Sequence, residues 1–422
     1  MSLVIKGGTV VDETGTRTAD VRIEDGTIVA VGESLTGDTT LDATGCIVSS
    51  GFVDLHTHLR QPGREEAETI ETGSRAAALG GFTAVVAMPN TEPAIDSAGV
   101  VREVLDWGAK ALCDVRPAGA ITKGRAGKEL APLGEMADLG VRLFTDDGAG
   151  VQDSRLMRRA LEYASAIGVT LAQHCEDEGL ASGGHMHEGE WSSRLGIPGI
   201  PAEAEELMVA RDIALSRLTG APVHFLHMST ARSIELIRAA KAEGLPVTAE
   251  AAPHHFTLTH AAIAGYDPVF KVNPPLRSDA DVEAVRTGLA DGTIDAIATD
   301  HAPHAQELKE AAFDEAPPGM LGLETCFALA LQLGVPIERV LALLSWNPAR
   351  IAGLTAEHGG PIAEGRPANL TVLDLAHAWT VEPERLASRS RNTPYAGWAL
   401  QGRARHTVFR GEPVVVDMEA TR

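Results

Sequence analysis

The chain is poor in cysteine, short of cations and without any long apolar run, and each shortage excludes something. Its four cysteines, Cys46, Cys113, Cys175 and Cys326, are scattered without Cys-x-x-Cys spacing, which argues against a disulfide framework or a thiolate zinc knuckle. They read as reduced thiols of a cytoplasmic protein. The longest apolar stretch, Cys326 to Val335, is interrupted by Gln332 and is far too short for a membrane span. The first residues, Met1-Ser-Leu-Val-Ile-Lys-Gly-Gly, lack the basic start and apolar core of a signal peptide, so a cytoplasmic location without membrane attachment is expected. Basic side chains number 36 against 58 acidic ones, a formal charge of −22, which makes a nucleic-acid surface an unlikely use of this chain. An anionic ligand would need local cations to hold it against that field. Gly-x-Gly-x-x-Gly after the first long strand and the Walker pattern are both missing, so nothing favours a nucleotide.

With 422 residues, 44% of them apolar and 22% charged, the chain suits one large α/β barrel with an accessory unit. From about Leu3 to Val48 short apolar runs are broken by Gly and Asp-Gly, the signature of hairpins. The other end, from about Gly360, has the same character in Asn369-Leu-Thr-Val-Leu-Asp, Thr407-Val-Phe and Pro413-Val-Val-Val. Both ends therefore read as one small β-sandwich, residues 1–50 and 358–422, around a catalytic barrel at 51–357. In between, eight apolar strand candidates (51–58, 82–88, 114–120, 141–146, 169–175, 222–228, 246–252, 294–300) alternate with Ala/Leu/Glu/Arg-rich helices. Ala202 to Leu218 is one such helix and Thr230 to Ala242 another, the latter with Ser229 as its expected N-cap. Eight βα units over about 300 residues fit a (β/α)8 TIM barrel better than an open doubly wound sheet.

A barrel places its chemistry at the C-terminal ends of its strands. The polar residues stand there: His56-Thr-His58 after the first strand, Asp146-Asp147 after the fourth, His174 after the fifth, His227 after the sixth and Asp300 after the eighth. Along a strand, positions 56, 58 and 60 point the same way, so Arg60 shares the space of the two histidines. Four histidines and two carboxylates are about enough for two divalent cations, and nitrogen and oxygen donors without thiolate favour zinc or a similar borderline metal. A carboxylate can bridge two such cations about 3.5–4 Å apart, with a shared hydroxide between them. Residue pattern alone leaves the choice between Asp146 and Asp147 open. His254 and His255, after the seventh strand, read as supporting groups, and Ser182 to Pro201, which carries His185 and His187, reads as a long mobile loop.

The His-x-His strand end, the later single histidines, the aspartate after the eighth strand and the split β unit resemble the amidohydrolase superfamily. Within it, His56-Thr-His-Leu-Arg-Gln-Pro-Gly, Ala87-Met-Pro-Asn-Thr, Phe144-Thr-Asp-Asp-Gly, Gln173-His-Cys-Glu-Asp, Pro253-His-His, Lys271-Val-Asn-Pro-Pro-Leu-Arg and Ala298-Thr-Asp-His-Ala-Pro-His are similar to motifs of the class I bacterial dihydroorotases. The resemblance implies one zinc on His56, His58 and Asp300, a second on His174 and His227, and Asp147 with a hydroxide bridging the two. Many relatives bridge with a carboxylated lysine on the fourth strand. Here Val141-Arg-Leu-Phe-Thr-Asp-Asp contains none.

Also implied are substrate contacts from His58, Arg60, Asn90, Asn273 and His304. A guanidinium fork suits a carboxylate, and the amides of asparagine suit a carboxylate or imide edge. Pro318-Gly319 stands where the family tends to have Phe-Gly, and its backbone is expected to touch substrate. The implied activity is zinc-dependent, reversible cyclisation of N-carbamoyl-L-aspartate to L-dihydroorotate in pyrimidine synthesis, with Asp300 carrying the proton between the hydroxide and the ring nitrogen. Other implications are a homo-oligomer, a dimer in the simplest case, and an association with aspartate transcarbamoylase. A hydantoinase or allantoinase is the alternative enzyme, and a metal-free scaffold for the transcarbamoylase is the non-catalytic one.

Overall fold

A computed structural model describes residues 2–422. Two sheets are built from the chain ends. A four-stranded sheet runs in the order Thr27–Gly32, Asp20–Glu24, Ser2–Lys6, Thr39–Asp42. A seven-stranded sheet runs Glu419–Ala420, Glu412–Val416, Ala399–Phe409, Leu370–Thr380, Ile47–Ser50, Thr9–Asp12, Gly15–Thr18, so the two chain ends join in it where Leu370–Thr380 pairs with Ile47–Ser50. Leu3, Ile5, Val21, Ile23 and Ile28 from the first sheet meet Val10, Val48, Leu370, Val372 and Val408 from the second in one apolar layer. Removing such side chains from water is what holds the sheets face to face.

Eight parallel strands form the barrel: Phe52–Thr57, Phe82–Ala87, Asp114–Pro117, Leu143–Phe144, Thr170–Gln173, Val223–Phe225, Val247–Ala251 and Ala296–Ile297. Each lies within the segment expected for it and all are shorter, because the polar residues at their ends leave the ladder to face the rim. Ladders join strands one to three and four to eight. Parallel bridges at Gly119–Phe144 and Thr57–His301 close the two gaps. Val53, Leu55, Val86, Leu143 and Leu226 fill the interior beside the small Ala84, Ala118, Ala172, Ala296 and Ala298.

Outside lie amphipathic helices whose ends are fixed by local chemistry. Ser154–Ile167 buries Met157, Ala160, Leu161 and Ala164, starts on the Asp153 carboxylate and stops at Gly168, whose φ of 69° suits a residue without a Cβ. The helix expected at 202–218 spans Glu203–Thr219. The one expected from Thr230 spans Ala231–Ala242 and is capped by Thr230 rather than Ser229. The reason is a competing partner: the Ser229 hydroxyl donates to Glu205, a buried carboxylate that also accepts from the Thr230 hydroxyl and amide.

Ser182 to Pro201 is not a featureless loop. Met186–His187 pairs in parallel with Gly199–Ile200, and Glu190–Leu195 is a helix. Met186, Trp191, Leu195 and Ile197 gather on Ile263, Phe270 and Phe313 in a small satellite core. That spacing of apolar residues, hidden among Gly, Ser and His, is what orders the segment.

The seam between the first and eighth strands rests on one carboxylate. Asp54 is fully buried and accepts from Thr299 N at 2.9 Å, Thr299 Oγ1 at 2.5 Å, Thr57 Oγ1 at 2.6 Å and His56 N at 3.3 Å. Asp54→Ala should therefore lower the free energy of unfolding by about 3 kcal/mol, since it strands two buried hydroxyls and two amides. Urea denaturation followed by circular dichroism measures it, and a change below about 1 kcal/mol would show that the seam does not depend on this side chain.

Candidate metal centre and substrate cavity

Every strand end singled out above reaches the same rim. His56 Nε2 lies 3.4 Å from Asp147 Oδ1 and 3.5 Å from Asp300 Oδ1, and His58 Nε2 lies 3.1 Å from Asp300 Oδ1 and 3.6 Å from Asp147 Oδ2. His174 Nδ1 is 3.3 Å from Asp147 Oδ1 and 3.0 Å from His227 Nε2, which is itself 3.6 Å from Asp147 Oδ1. Asp147 thus faces all four imidazoles. All six side chains are buried.

The adjacent pair is resolved by direction. Asp146 turns away and accepts from Ile121 N at 2.8 Å, Thr122 N at 3.0 Å and the Thr122 hydroxyl, a structural task that ties the end of the fourth strand to the loop after the third. Asp147, one residue on, faces the histidines.

The donor set fits a divalent cation. His56 Nδ1 is 3.0 Å from Glu250 Oε1, which fixes the proton there and leaves Nε2 as a lone pair with no hydrogen-bond partner, aimed at the two aspartates. Glu250 is held in turn by His224 Nε2 at 2.9 Å. His58 Nδ1 likewise meets Asn90 Oδ1 at 2.9 Å, which leaves its Nε2 facing Asp300. Between His174 and His227 two ring nitrogens share 3.0 Å with room for one proton, an arrangement that a cation satisfies better than a hydrogen bond. Within the rim, His56, His58 and Asp300 form one group of convergent ligand atoms and His56, Asp147 and His227 another. Cys175 is buried with its sulfur 3.7 Å from Gln173 O and contributes no thiolate.

Electrostatics at the rim are mutual. Burial would depress His56, but the carboxylates of Asp147 and Asp300 outweigh it and hold its pKa well above the ordinary value. Burial would raise Asp300, and His56 and His58 outweigh it, so its carboxyl stays ionised far into acid. His254 is driven the other way by burial and by His255, and stands as a neutral ring with Nε2 3.8 Å from Asp300 Oδ2. His255 is taken out of the site by its bond to Pro274 O at 3.0 Å.

Above the aspartates opens a cavity of about 210 Å³, lined by His58, Arg60, Asn90, Asn273, His304 and Gly319 among others. Arg60 holds a left-handed backbone, φ 60°, and its Nε donates to Pro303 O at 3.0 Å while Nη2 lies 3.3 Å from His304 Nε2. Burial lowers its pKa to about 10, so it remains a cation at neutral pH. Asn90 spends its carbonyl on His58, leaving its NH2 for the cavity. Pro318 and Gly319 line the cavity as expected, but neither offers a free amide: proline has none, and Gly319 N donates to Lys271 O at 2.9 Å. Pro318 O accepts from His304 Nε2 at 2.9 Å.

Sequence reasoning missed Asp54, Glu250 and His224, all of which serve the rim from behind. The signal was present: each is a polar or charged residue inside an apolar strand, where burial is costly unless a partner waits. A third group of potential ligands, Asp114, Glu357 and His358, lies at the start of the third strand, away from the rim, and is already neutralised by Arg116, whose Nε is 2.7 Å from Asp114 Oδ2.

Comparison with known proteins gives the family. Residues 45–233 match the family model described as dihydro-orotase-like, and residues 280–415 that of the amidohydrolase family. The chain is 50% identical to the dihydroorotase of Pelotomaculum thermopropionicum, an alignment covering 99% of each. It is 48% identical to that of Streptomyces coelicolor, again over 99% of each. Among solved structures, the L-hydantoinase (dihydropyrimidinase) of Arthrobacter aurescens superposes with a TM-score of 0.90 at 25% identity over 100% of this chain and 97% of that one. A D-hydantoinase from Thermus sp. gives 0.85 at 26% over 99% and 96%. The relatives match in sequence across nearly the whole length, and the chain belongs to the dihydroorotase family of amidohydrolases.

Proposed function

We infer that this chain is a dihydroorotase, closing N-carbamoyl-L-aspartate reversibly to L-dihydroorotate in the cavity above Asp147 and Asp300. The observation that carries the reading is the pairing of two unlike halves in one small cavity. One is a histidine and aspartate rim fit for cations. Facing it is a buried guanidinium, Arg60, fit for a carboxylate.

Two zinc ions, held by His56, His58 and Asp300 and by His174 and His227 with Asp147 between them, would supply Lewis-acid polarisation of a carbonyl and acidify water at neutral pH. The protein supplies the rest. Arg60 binds the ring carboxylate, with Asn90 Nδ2 and Asn273 in reach of the remaining polar edges. In the hydrolytic direction Asp300, ionised by its histidine neighbours, takes the proton of the attacking water and hands it to the ring nitrogen as the carbon–nitrogen bond breaks. In the reverse direction the carbamoyl nitrogen attacks the carboxyl carbon, and Asp300, starting protonated, gives its proton to the departing oxygen and takes up the one that the attacking nitrogen loses. His254, a neutral ring with Nε2 3.8 Å from Asp300 Oδ2, stands beside the aspartate without competing for the proton.

Hydantoinase action is the second reading, because the solved structures named above are hydantoinases. Against it stands Arg60, which an uncharged ring does not need. Turnover of dihydroorotate by the zinc-loaded chain, measured with and without aspartate transcarbamoylase and compared with hydantoin and allantoin, tests both. Faster hydrolysis of hydantoin would overturn the dihydroorotase assignment.

Asp300→Asn, which keeps the shape and removes the base, should reduce kcat by about a thousandfold or more in both directions. Arg60→Met should raise KM for dihydroorotate by about tenfold to a hundredfold while leaving hydantoin hydrolysis nearly unchanged. Equal losses on the two substrates would show that Arg60 does not read the carboxylate. Dialysis against a chelator should abolish activity and zinc should restore it, with about two equivalents bound per chain by elemental analysis.

A further inference from the structure

Two lysines beside the cavity are left without a task by the chemistry above. Lys271 is buried and Lys309 half-buried, yet neither forms a salt bridge among the described residues. A buried ammonium without a carboxylate is costly, so its partners matter. They are main-chain oxygens. Lys309 Nζ donates to Pro317 O at 2.9 Å and approaches Lys271 O at 3.5 Å. Lys271 Nζ donates to Asp314 O at 2.9 Å, sits 3.3 Å from His185 Nδ1 and lies 5.6 Å from the centre of the Phe313 ring.

Three of these contacts, Pro317 O, Asp314 O and the Phe313 ring, fall on one element, the segment from Ala305 to Gly319 that follows the eighth strand and carries Lys309 itself. Its last three residues, Pro317, Pro318 and Gly319, are a wall of the substrate cavity. With no regular structure beyond the short helix Gln306–Lys309, the segment lacks a ladder of its own to fix that wall. Gly319 N to Lys271 O and His304 Nε2 to Pro318 O hold its far end, and Phe313 anchors its middle in the satellite core of 186–197. The lysines hold the part between.

Resting on the dihydroorotase reading of the site, we propose that Lys309 and Lys271 are positioning residues: a clasp of two unpaired ammonium groups that holds the Pro317–Gly319 wall closed beside Arg60, and whose release opens the cavity to substrate. Three N–H donors on a flexible stem can grip several carbonyls at once and let go without breaking a ladder. The positive charge also sits on the correct side. Burial first, and then Arg60 and Lys309 beside it, push the His304 pKa down, so the ring stays neutral between the two cations. The groups facing Lys309 are Lys271, Asp267 and His304, and those facing Lys271 are Asp314 and His185. Burial, with Lys271 adding repulsion and Asp267 opposing it, brings Lys309 down to about 7. The clasp is then fully charged below neutral pH and weakens as pH rises through that value.

The test is Lys309→Met, which keeps the aliphatic stem and removes the donors. With the zinc-loaded protein at pH 6.5, KM for dihydroorotate should rise by about tenfold with kcat within about threefold of the unmodified chain, and the difference in KM should shrink at pH 9. Hydrogen exchange followed by mass spectrometry should be faster across 305–320, with no change in the barrel strands and no loss of bound zinc. Lys309→Arg, which keeps charge and donors, should restore most of both effects. Unchanged KM, or a raised KM without faster exchange in 305–320, would overturn the clasp. Should Lys309→Met fail to fold, Lys271→Met is read in the same way. The exchange measurement needs no substrate, so it judges the clasp even where the chain proves not to turn over dihydroorotate.

Discussion

A barrel is only as exact as its closure, and here closure is made by a carboxylate. Parallel ladders join neighbouring strands inside each group, but the first and eighth strands meet through a single bridge at Thr57–His301 and through Asp54, which takes donors from both. Burying a carboxylate is unfavourable by several kcal/mol unless its oxygens are filled, and four donors fill them. Asp54 is two residues before His56, and Thr299 is next to Asp300. Fixing one pair fixes the other, and His56 Nε2 comes to lie 3.5 Å from Asp300 Oδ1 as a consequence. The cation ligands of two sequence-distant strands are thus set by a bond that touches no ligand atom. This is why a residue behind the rim matters as much as those on it.

The same logic of filled partners organises the charges. The chain carries a net −22, yet its inferred substrate is an anion. The rim carboxylates are each matched by histidines, which leaves them ionised but locally neutralised. Across the cavity the cations are left unmatched: Arg60 bonds to a carbonyl and lies against a neutral histidine, and Lys309 and Lys271 bond to carbonyls, Lys271 also to a histidine. Carbonyl partners orient a cation without cancelling its charge. A local positive bank therefore persists inside a negative protein, and its effect is concentrated where low dielectric makes it strongest.

Much of this was legible in the sequence because the barrel rule turns position into direction. His56, His58, His174, His227 and Asp300 each end an apolar run, and a polar group there either faces the rim or is stranded in the core. The eight strands were legible for the same reason. The choice between Asp146 and Asp147 was not, since the chain leaves its strand at Phe144 and a turn, rather than an alternation, decides which side chain faces inward. Ser229 as a cap failed because a partner distant in sequence, Glu205, claimed its hydroxyl. The fold of 182–201 was hidden because Met186, Trp191, Leu195 and Ile197 bury against residues more than sixty positions away, a contact no local pattern announces.

Fold alone could not have chosen the reaction. Hydantoinases share this architecture almost completely, and a barrel of eight strands with a sandwich beside it says only where a site will be. What separates the readings is a few atoms at the rim. An aspartate stands at the end of the fourth strand with no lysine on that strand, and a guanidinium is bent into the cavity by a left-handed backbone at Arg60. That conformation carries a cost for any residue with a Cβ. It is held by the bond from Arg60 Nε to Pro303 O, which belongs to the same eighth-strand loop as Asp300 and His304. The residue that would move the proton and the carbonyl that holds the residue that would read the carboxylate therefore belong to one short stretch of main chain. Substrate selection and proton transfer can hardly be altered separately, and a change at Pro303 or His304 should disturb both.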